Sequence, residues 1–279
     1  MSGLHLAIGE STLAAFLLAV ARTAGFVLVT PPFNTRSVPA QARVSLSIAL
    51  ALPVTAAMRP AAPDLGSSTL MLFLLLQIAT GAALGFLVLA AVATIQTAGD
   101  LLDTVGGFSI SMALDPLMLV QTSVMGRLHQ ITAVTLLFVT DGHLMIVQGL
   151  TRSLALMPGP LTSWQEVARA ATGGLAALFM GALQIAAPVV AAMLVADVAL
   201  GLLTRAAPAL NAFSLAYPLK ILFTLLLAGL VVARLPGAVG DLVQHSVLEL
   251  LRVVGDAAAA ATGSAAGSAG AAGAAVGGG

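Results

Sequence analysis

Residues 65–99 read LGSSTLMLFLLLQIATGAALGFLVLAAVATIQTAG, a run of 35 residues without a charged side chain. As one helix this run would be about 50 Å long, whereas the hydrocarbon core of a bilayer is about 30 Å thick. It contains no proline, and Gly81 and Gly85 have the G-x-x-x-G spacing that lets two helices approach closely. The run therefore predicts membrane-embedded helix, either one long helix or a tight hairpin, and both remain open.

The whole chain has the composition of an integral membrane protein. Of its 279 residues, 59% are hydrophobic and 8% are charged, whereas a soluble domain has about 25% charged residues. Eleven basic and eleven acidic side chains give a net charge of zero, which indicates no basic surface for nucleic acid. The absence of cysteine excludes disulfides, thiol catalysis and metal sites built from cysteine.

Charged residues divide the chain into about six hydrophobic segments of uneven length. Residues 44–58 supply only 15 positions and residues 221–233 only 13, although roughly 20 helical residues are needed to cross the hydrocarbon core. With six segments, five Lys and Arg residues fall in the loops on each side, so the positive-inside rule gives no orientation. This pattern favours helices that pack mainly against other protein over an ordinary polytopic protein with irregular segments.

The C-terminal residues are expected to form a low-complexity tail. After Asp256 the sequence contains only Ala, Gly, Ser, Thr and Val, so it lacks charges and large side chains that could anchor it. We therefore divide the chain into a membrane domain, residues 1–255, and a disordered tail, residues 256–279. Before the tail, an apolar stripe along residues 243–254 predicts an amphipathic helix that docks on the bundle or on the membrane surface.

The sequence contains none of the familiar motifs for catalysis or cofactor binding. Its single lysine, Lys220, follows Leu219 rather than a glycine-rich loop, so there is no P-loop. The four histidines form no H-E-x-x-H pair, and no serine lies in a G-x-S-x-G turn. We therefore predict that the protein is not an enzyme and has no cofactor or metal.

Two groups of charged residues stand out, because a charge within an apolar helix is costly unless it is paired or faces water. Arg22 lies in the middle of the first segment. Its role is either structural, as a member of an ion pair or as a snorkelling side chain, or it faces a subunit or a pore. Asp197, Gly201 and Arg205 follow at four-residue steps on one helix face, and Gly201 would permit close approach of a neighbour. That face is either a packing face with local ion pairs or a contact with another subunit.

The stretch from Gly106 to Pro116 differs from its surroundings. Gly106 and Gly107 together disfavour a helix, and Asp115 is restricted to an extended conformation by the proline after it. Apolar side chains lie between these ends. Non-helical backbone at membrane depth persists only where it is buried in protein or lines a cavity. The stretch is therefore either a surface turn or an apolar loop held inside protein.

Several separated motifs resemble those of the FliR family of flagellar biosynthesis proteins, and they occur in the same order. They are ARTAGF (21–26), PPFN (31–34), VP (38–39), GGFS (106–109), DP (115–116), DGH (141–143), LMP (156–158), LGLLTRAAPALNAF (200–213) and YPLK (217–220). The resemblance covers roughly residues 13–251. One departure is Ala209, where the family commonly has Gln after the proline.

The resemblance implies an all-α integral membrane protein of stacked helical hairpins, with residues 1–255 as the export-gate domain. It implies a subunit of the flagellar type III export gate, in the bacterial inner membrane at the flagellar basal body. Expected partners are FliP and FliQ in the gate, FlhB and FlhA nearby, unfolded flagellar subunits as substrates, and membrane lipid. The alternatives are an SctT-like subunit of a virulence secretion system and a stand-alone secondary transporter, although the sequence shows no inverted repeat typical of the latter.

Two sets of residues are predicted to carry the function. The resemblance implies that one set forms a plug that closes the channel: Gly106, Gly107, Phe108, Ile110, Met112, Leu114, Asp115 and Pro116. The other set packs against neighbouring subunits: Arg22, Gly25, Asp197, Gly201, Arg205, Pro208, Asn211 and Lys220. In the plug, the apolar side chains would seal the channel and the two glycines would act as its hinge.

Overall fold

The computed structural model describes residues 9–35, 38–108, 123–161, 164–206 and 212–276, and every regular element within these ranges is helical. The all-α class predicted from the sequence is therefore confirmed. Two short 3₁₀ turns, Leu52–Val54 and Arg59–Ala61, flank the third helix. The α-helices within the described ranges are α1 (Glu10–Val29), α2 (Ala40–Ala51), α3 (Thr55–Met58), α4 (Ser68–Gly106), α5 (Val124–Val139), α6 (Gly142–Leu156), α7 (Trp164–Ala206) and α8 (Ala212–Val276).

Most of these helices are long and apolar enough to cross a membrane. In the described part of the chain, five spans meet that criterion: Glu10–Val29, Ala40–Ala61, Ser68–Gly106, Val167–Ala206 and Tyr217–Ala260. The pair α5 and α6 makes a sixth if it counts as one broken span, since the two helices are bent by 73° at the turn between them. The prediction of about six hydrophobic segments is confirmed.

Helix α4 resolves the question that the uncharged run left open. Residues 68–99 all lie in one helix, which continues to Gly106 and is 39 residues long. At about 1.5 Å per residue such a helix extends about 58 Å, roughly twice the thickness of a hydrocarbon core. It is continuous because no proline interrupts it, and its glycines lie where neighbouring helices approach.

The described residues form two compact units, each with its own core. The first comprises those within residues 1–89, 144–172 and 245–279. Here α1 packs on α2 and α3, and its fully buried side chains include Leu18, Phe26, Met58, Leu84 and Leu150. Burying side chains of this size stabilises a fold by about 1.5–3 kcal/mol each.

The second unit comprises the described residues within 90–143 and 173–244. Its core takes side chains from four helices, because α4, α5, α7 and α8 each turn an apolar stripe inward. The buried residues include Ile95, Leu102, Leu137, Met193 and Leu235. In the turn between α5 and α6, Asp141 has a positive φ of 57°.

Large apolar side chains also cover the outer faces of α7 and α8. Phe179, Met180 and Leu202 on α7 are each more than 60% exposed, as are Leu226 and Leu230 on α8. Soluble monomers rarely expose contiguous apolar patches larger than a few hundred Å². These faces therefore belong against lipid or other protein, as in a multi-pass membrane protein.

The C-terminal part of α8 differs from the expectation of a disordered tail. The helix runs without interruption to Val276, so residues 256–276 have a helical backbone. Alanine has the highest intrinsic helix propensity, and the stretch is rich in it. The apolar stripe along residues 243–254 is helical as predicted, and Val243, Leu250 and Val254 are buried.

Candidate functional site

Arg22 is the largest polar side chain enclosed in the first unit, and none of its surface is exposed. Its Nε donates to Oε1 of Gln77 on α4 at 2.6 Å. Its Nη1 donates to the carbonyls of Met157 at 2.8 Å and Ser153 at 3.3 Å, and its Nη2 donates to the carbonyl of Gly159. These acceptors are all neutral, and three of them are backbone carbonyls at or beyond the C-terminal end of α6.

Two side chains of α4, Gln77 and Thr80, hold the segment that follows α6. Gln77 donates through Nε2 to the carbonyl of Pro158 at 2.8 Å. Thr80, which is fully buried, accepts a hydrogen bond from the backbone N–H of Leu161 at 3.0 Å. The carbonyl of Ser153 also accepts from the backbone N–H of Met157 at 3.1 Å. The carbonyls of Met157, Pro158 and Gly159 follow the end of α6, where the helix supplies no donors, and Arg22 and Gln77 donate to them.

Glycines bring α1 and α4 close enough for these hydrogen bonds to form. A Cβ on Gly25 would overlap the carbonyl of Ile78, and a Cβ on Gly81 would overlap the carbonyl of Arg22. A Cβ on Gly85 would lie 2.9 Å from the carbonyl oxygen of Phe26. The G-x-x-x-G spacing of Gly81 and Gly85 thus marks a contact in which two helix backbones touch, as the sequence indicated.

Arg22 and Gly25 were both assigned to the surface that packs against other subunits. The structure places both inside the first unit, where they contact α4 and the end of α6 of this same chain. Of the interpretations of Arg22, the structural one fits its position, with neutral acceptors in place of the expected ion pair. Contact with a separate subunit needs a residue on the outside of the unit, and Arg22 is not one.

In the second unit, Asp197 and Lys220 join α7 to α8. The Nζ of Lys220 lies 2.8 Å from Oδ1 and 2.9 Å from Oδ2 of Asp197. The side chain of Lys220 is 22% exposed and that of Asp197 is 46% exposed, so the pair lies at the surface of the unit. Local ion pairs were one of the two interpretations that the sequence left open for this face, and it did not indicate that the partner of Asp197 would be Lys220.

The rest of the predicted face of α7 is open. Gly201 is exposed, and a Cβ built there would have no described atom within 4 Å. Arg205, at the next four-residue step, is also exposed. The face therefore leaves room for a neighbouring helix, and its role as a subunit contact stays a prediction.

The predicted plug begins at a well-defined helix end. Gly106 is the last residue of α4, and Gly107 follows with a φ of +81°, the left-handed conformation in which many helices terminate. A Cβ on Gly106 would lie 2.7 Å from the side chain of buried Thr224, and a Cβ on Gly107 would lie 3.4 Å from the ring of Tyr217. The first two plug residues are thus seated on α8.

The chain returns from this segment at the start of α5, which is also held firmly. Ser123 caps the helix by accepting a hydrogen bond from the N–H of Gly126 at 2.8 Å. Asp103 accepts one from the N–H of Met125 at 3.1 Å, and a Cβ on Gly126 would overlap the carboxylate of Asp100. Carboxylates at a helix N-terminus typically stabilise it by about 0.3–1 kcal/mol each.

The remaining predicted site residues have varied positions. Phe108 is described and half-buried. Seven others lie outside the described residues: Ile110, Met112, Leu114, Asp115, Pro116, Pro208 and Asn211. Sequence reasoning missed the residues that hold the helix ends, which are Gln77, Thr80, Asp100, Asp103, Ser123 and Thr224. Only Ser123 carried a local signal, since serine before an apolar helical run is a common N-cap.

Comparison with known proteins places the chain in one family. Residues 13–246 match the family described as bacterial export proteins, family 1. The chain is 28% identical to flagellar biosynthetic protein FliR of Pectobacterium carotovorum subsp. carotovorum, over 86% of this chain and 91% of that protein. It is also 28% identical to flagellar biosynthetic protein FliR of Escherichia coli strain K12, over 84% of this chain and 89% of that protein.

A further relative comes from a different group. The chain is 28% identical to surface presentation of antigens protein SpaR of Salmonella typhimurium, over 73% of this chain and 77% of that protein. The family match extends from α1 into α8, and so includes both the Arg22 cluster and the Asp197–Lys220 pair. This chain, a membrane protein of long packed helices, belongs to family 1 of the bacterial export proteins.

Proposed function

We propose that the chain is the FliR subunit of the flagellar type III export gate, and that it forms a channel with FliP and FliQ in the bacterial inner membrane. Unfolded flagellar subunits pass through this channel while the flagellum is assembled. The observation that carries the proposal is the extent of the similarity, which covers 91% of FliR from P. carotovorum. That length leaves almost none of the relative's chain unmatched.

The outer faces of the helices support a role within a membrane complex. α7 presents exposed apolar side chains around Gly201, and no described atom occupies the space beside that glycine. A helix of FliP or FliQ would fill this space and bury the apolar surface. FlhB and FlhA would lie nearby at the flagellar basal body, and the remaining apolar surface would contact lipid.

The segment that begins at Gly106 is proposed as the plug of the closed channel. The described residues on either side of Gly107–Pro116 are fixed within the second unit, since Gly106 lies against Thr224 and the start of α5 is held by Ser123 and by Asp103, which accepts from the N–H of Met125. Two fixed ends suit a segment that moves aside for a substrate and then returns. Its residues 109–116 lie outside the described residues, as do residues 117–122 that lead to α5.

A permeability assay tests the plug. Deletion of residues 108–114 should leave the gate assembled but leaky to ions or a small dye, because apolar side chains at a constriction exclude water and ions. Assembly is checked in parallel by co-purification with FliP and FliQ. An assembled gate that remains as tight as the wild type would remove the plug role.

The second candidate is an SctT-like subunit of a virulence secretion system, which the similarity to SpaR favours. Complementation separates the two. Expression in a strain lacking its own FliR should restore swimming if the chain serves flagellar export. Restoration of secretion only in a strain lacking SctT would favour the virulence system. Purification as a homo-oligomer that takes up a small solute in vesicles would instead point to a secondary transporter.

A further inference from the structure

A groove opens between α7 and α8 in the second unit. It has a volume of about 660 Å³, within the range of pockets that hold small molecules. Buried Val189, Val231 and Leu235 form its floor, and exposed Leu230 stands at its edge. The walls are almost wholly apolar, so the groove suits a hydrocarbon chain.

Two polar side chains line this apolar groove. Arg234 on α8 and Gln184 on α7 are both exposed. Within the described residues no carboxylate forms an ion pair with Arg234. The side-chain amide of Gln184 can donate hydrogen bonds to an anion. The groove therefore combines one cation with hydrogen-bonding groups beside an apolar floor.

Arg234 lies at the end of an apolar row along α8. Leu226, Leu230 and Arg234 follow at four-residue steps and so share one face of the helix. Leu226 and Leu230 are 63% and 65% exposed, whereas the residues beyond Arg234 on the outside of the helix include exposed Asp241 and Gln244. Along this face the side chains change from apolar to polar at Arg234, so a headgroup bound there would have the apolar row of the helix beside it for an acyl chain.

We propose that this groove binds one anionic phospholipid, with an acyl chain against Val189, Val231 and Leu235 and the phosphate on Arg234. A guanidinium matches phosphate in charge and in its paired donors. A charge on a membrane helix is costly unless it is paired, and an anionic lipid provides the missing counter-charge. Basic pockets between membrane helices bind lipid headgroups in the same manner.

The test compares lipids bound by the purified full-length chain in native mass spectrometry. Dioleoyl phosphatidylglycerol should be retained about tenfold better than dioleoyl phosphatidylcholine, as expected for a charge-assisted contact. Arg234→Gln should abolish this preference, and Arg234→Lys should keep most of it. Arg252→Gln is the matched control, since Arg252 is an exposed arginine of the same helix that pairs with Glu249 at 3.7 Å, and its preference should equal the wild type's.

A second variant tests the apolar part of the site and leaves Arg234 in place. Ala238 lines the groove, so Ala238→Phe would fill it and should reduce retention of both lipids. The proposal is overturned if Arg234→Gln retains phosphatidylglycerol as the wild type does. A second measurement uses the complex purified with its partners. The proposal is also overturned if Arg234→Gln leaves lipid retention unchanged but removes FliP or FliQ from that complex, because Arg234 would then pair with a carboxylate of a partner. Lipid retention by the isolated chain does not depend on its function in export.

Discussion

At the scale of single residues, Arg22 shows how a charge is accommodated in an apolar helix without a counter-ion among its hydrogen-bond partners. Its guanidinium donates to Gln77 and to the carbonyls of Ser153, Met157 and Gly159. The C-terminal end of a helix carries partial negative charge, which makes it a favourable place for a cation. The hydrogen bonds from Arg22 to the carbonyls that follow α6 thus offset part of the free-energy cost of removing the guanidinium from water.

Replacing this side chain should have a large effect on stability. Arg22→Met removes every donor and leaves several buried acceptors unpaired, at about 1–3 kcal/mol each, so the free energy of unfolding should fall by about 3 kcal/mol or more. Arg22→Lys should be intermediate, since an ammonium cannot reach all four acceptors. Thermal unfolding in detergent measures both variants. Arg152→Met, at an exposed arginine of α6, is the control, and equal stability of the two Met variants would contradict the role of Arg22.

At the scale of elements, the contact between α1 and α4 depends on small residues. Gly25, Gly81 and Gly85 let the two backbones touch, and that contact brings Arg22 beside Gln77. Small residues are the usual means by which membrane helices pack closely. The polar cluster of the first unit therefore depends on the glycines at the points where the two backbones meet.

Two glycine-to-alanine substitutions should act in opposite directions. Gly81→Ala places a methyl group on the carbonyl of Arg22, and overpacking of this kind costs about 1–3 kcal/mol. Gly173→Ala in α7 meets no described atom within 4 Å, so it should stabilise the helix by up to about 1 kcal/mol. Thermal unfolding compares the two, and a Gly81→Ala variant as stable as Gly173→Ala would show that α1 and α4 tolerate separation.

The amino-acid sequence predicted elements better than the contacts between them. The lack of charge from residue 65 to 99 predicted helix, but it could not exclude a hairpin, because a bend needs only a few residues and leaves the same hydropathy. Ser123 and Gly107 mark helix ends through local chemistry and could be recognised. Gln77 could not be linked to Arg22, since the two are 55 positions apart and nothing local indicates which helix faces which.

The partner of Asp197 illustrates the same limit. Its helix face was predicted from the four-residue spacing, whereas Lys220 lies 23 positions away on another helix. Arg22 was placed correctly in the middle of a segment, yet its burial against α6 depends on residues more than 130 positions later. Such pairings follow from the packing of whole helices, which a single sequence does not specify.

At the scale of the whole molecule, the exposed apolar surface is the feature that most needs a partner. α7 and α8 carry many exposed Leu, Val, Phe and Met side chains along their outer faces. Gly201 lies among them with free space beside it. This arrangement suits a chain that completes its burial only within an assembly and a bilayer.

Gly201→Leu should separate assembly from stability. The isolated chain has room for the new side chain, so its thermal unfolding should be unchanged, while co-purification with FliP and FliQ should fall several-fold because the helices can no longer approach. Gly173→Leu on the same helix, at a site equally free of neighbours, provides the comparison. Unchanged co-purification of the Gly201→Leu variant would show that this face is not a subunit contact.

The end of α8 should be dispensable for export. Beyond Asp256 the helix has no charges and no large side chains, so its ordering gains little from burial. A chain truncated after Asp256 should restore swimming to a strain that lacks FliR, as scored on soft agar. Loss of swimming with protein at the normal level would contradict this expectation and would assign the last turns of α8 a contact.

The Arg22 cluster also imposes an order of events on synthesis. The carbonyls that accept from Arg22 belong to residues 131 to 137 positions later in the chain. At about 5–20 residues per second, a ribosome needs roughly 7–27 seconds to reach them. During that interval α1 carries an arginine whose later acceptors do not yet exist. Until α6 is made, the guanidinium lacks three of its four hydrogen-bond acceptors, so the cost of placing this charge in an apolar environment is offset only in part.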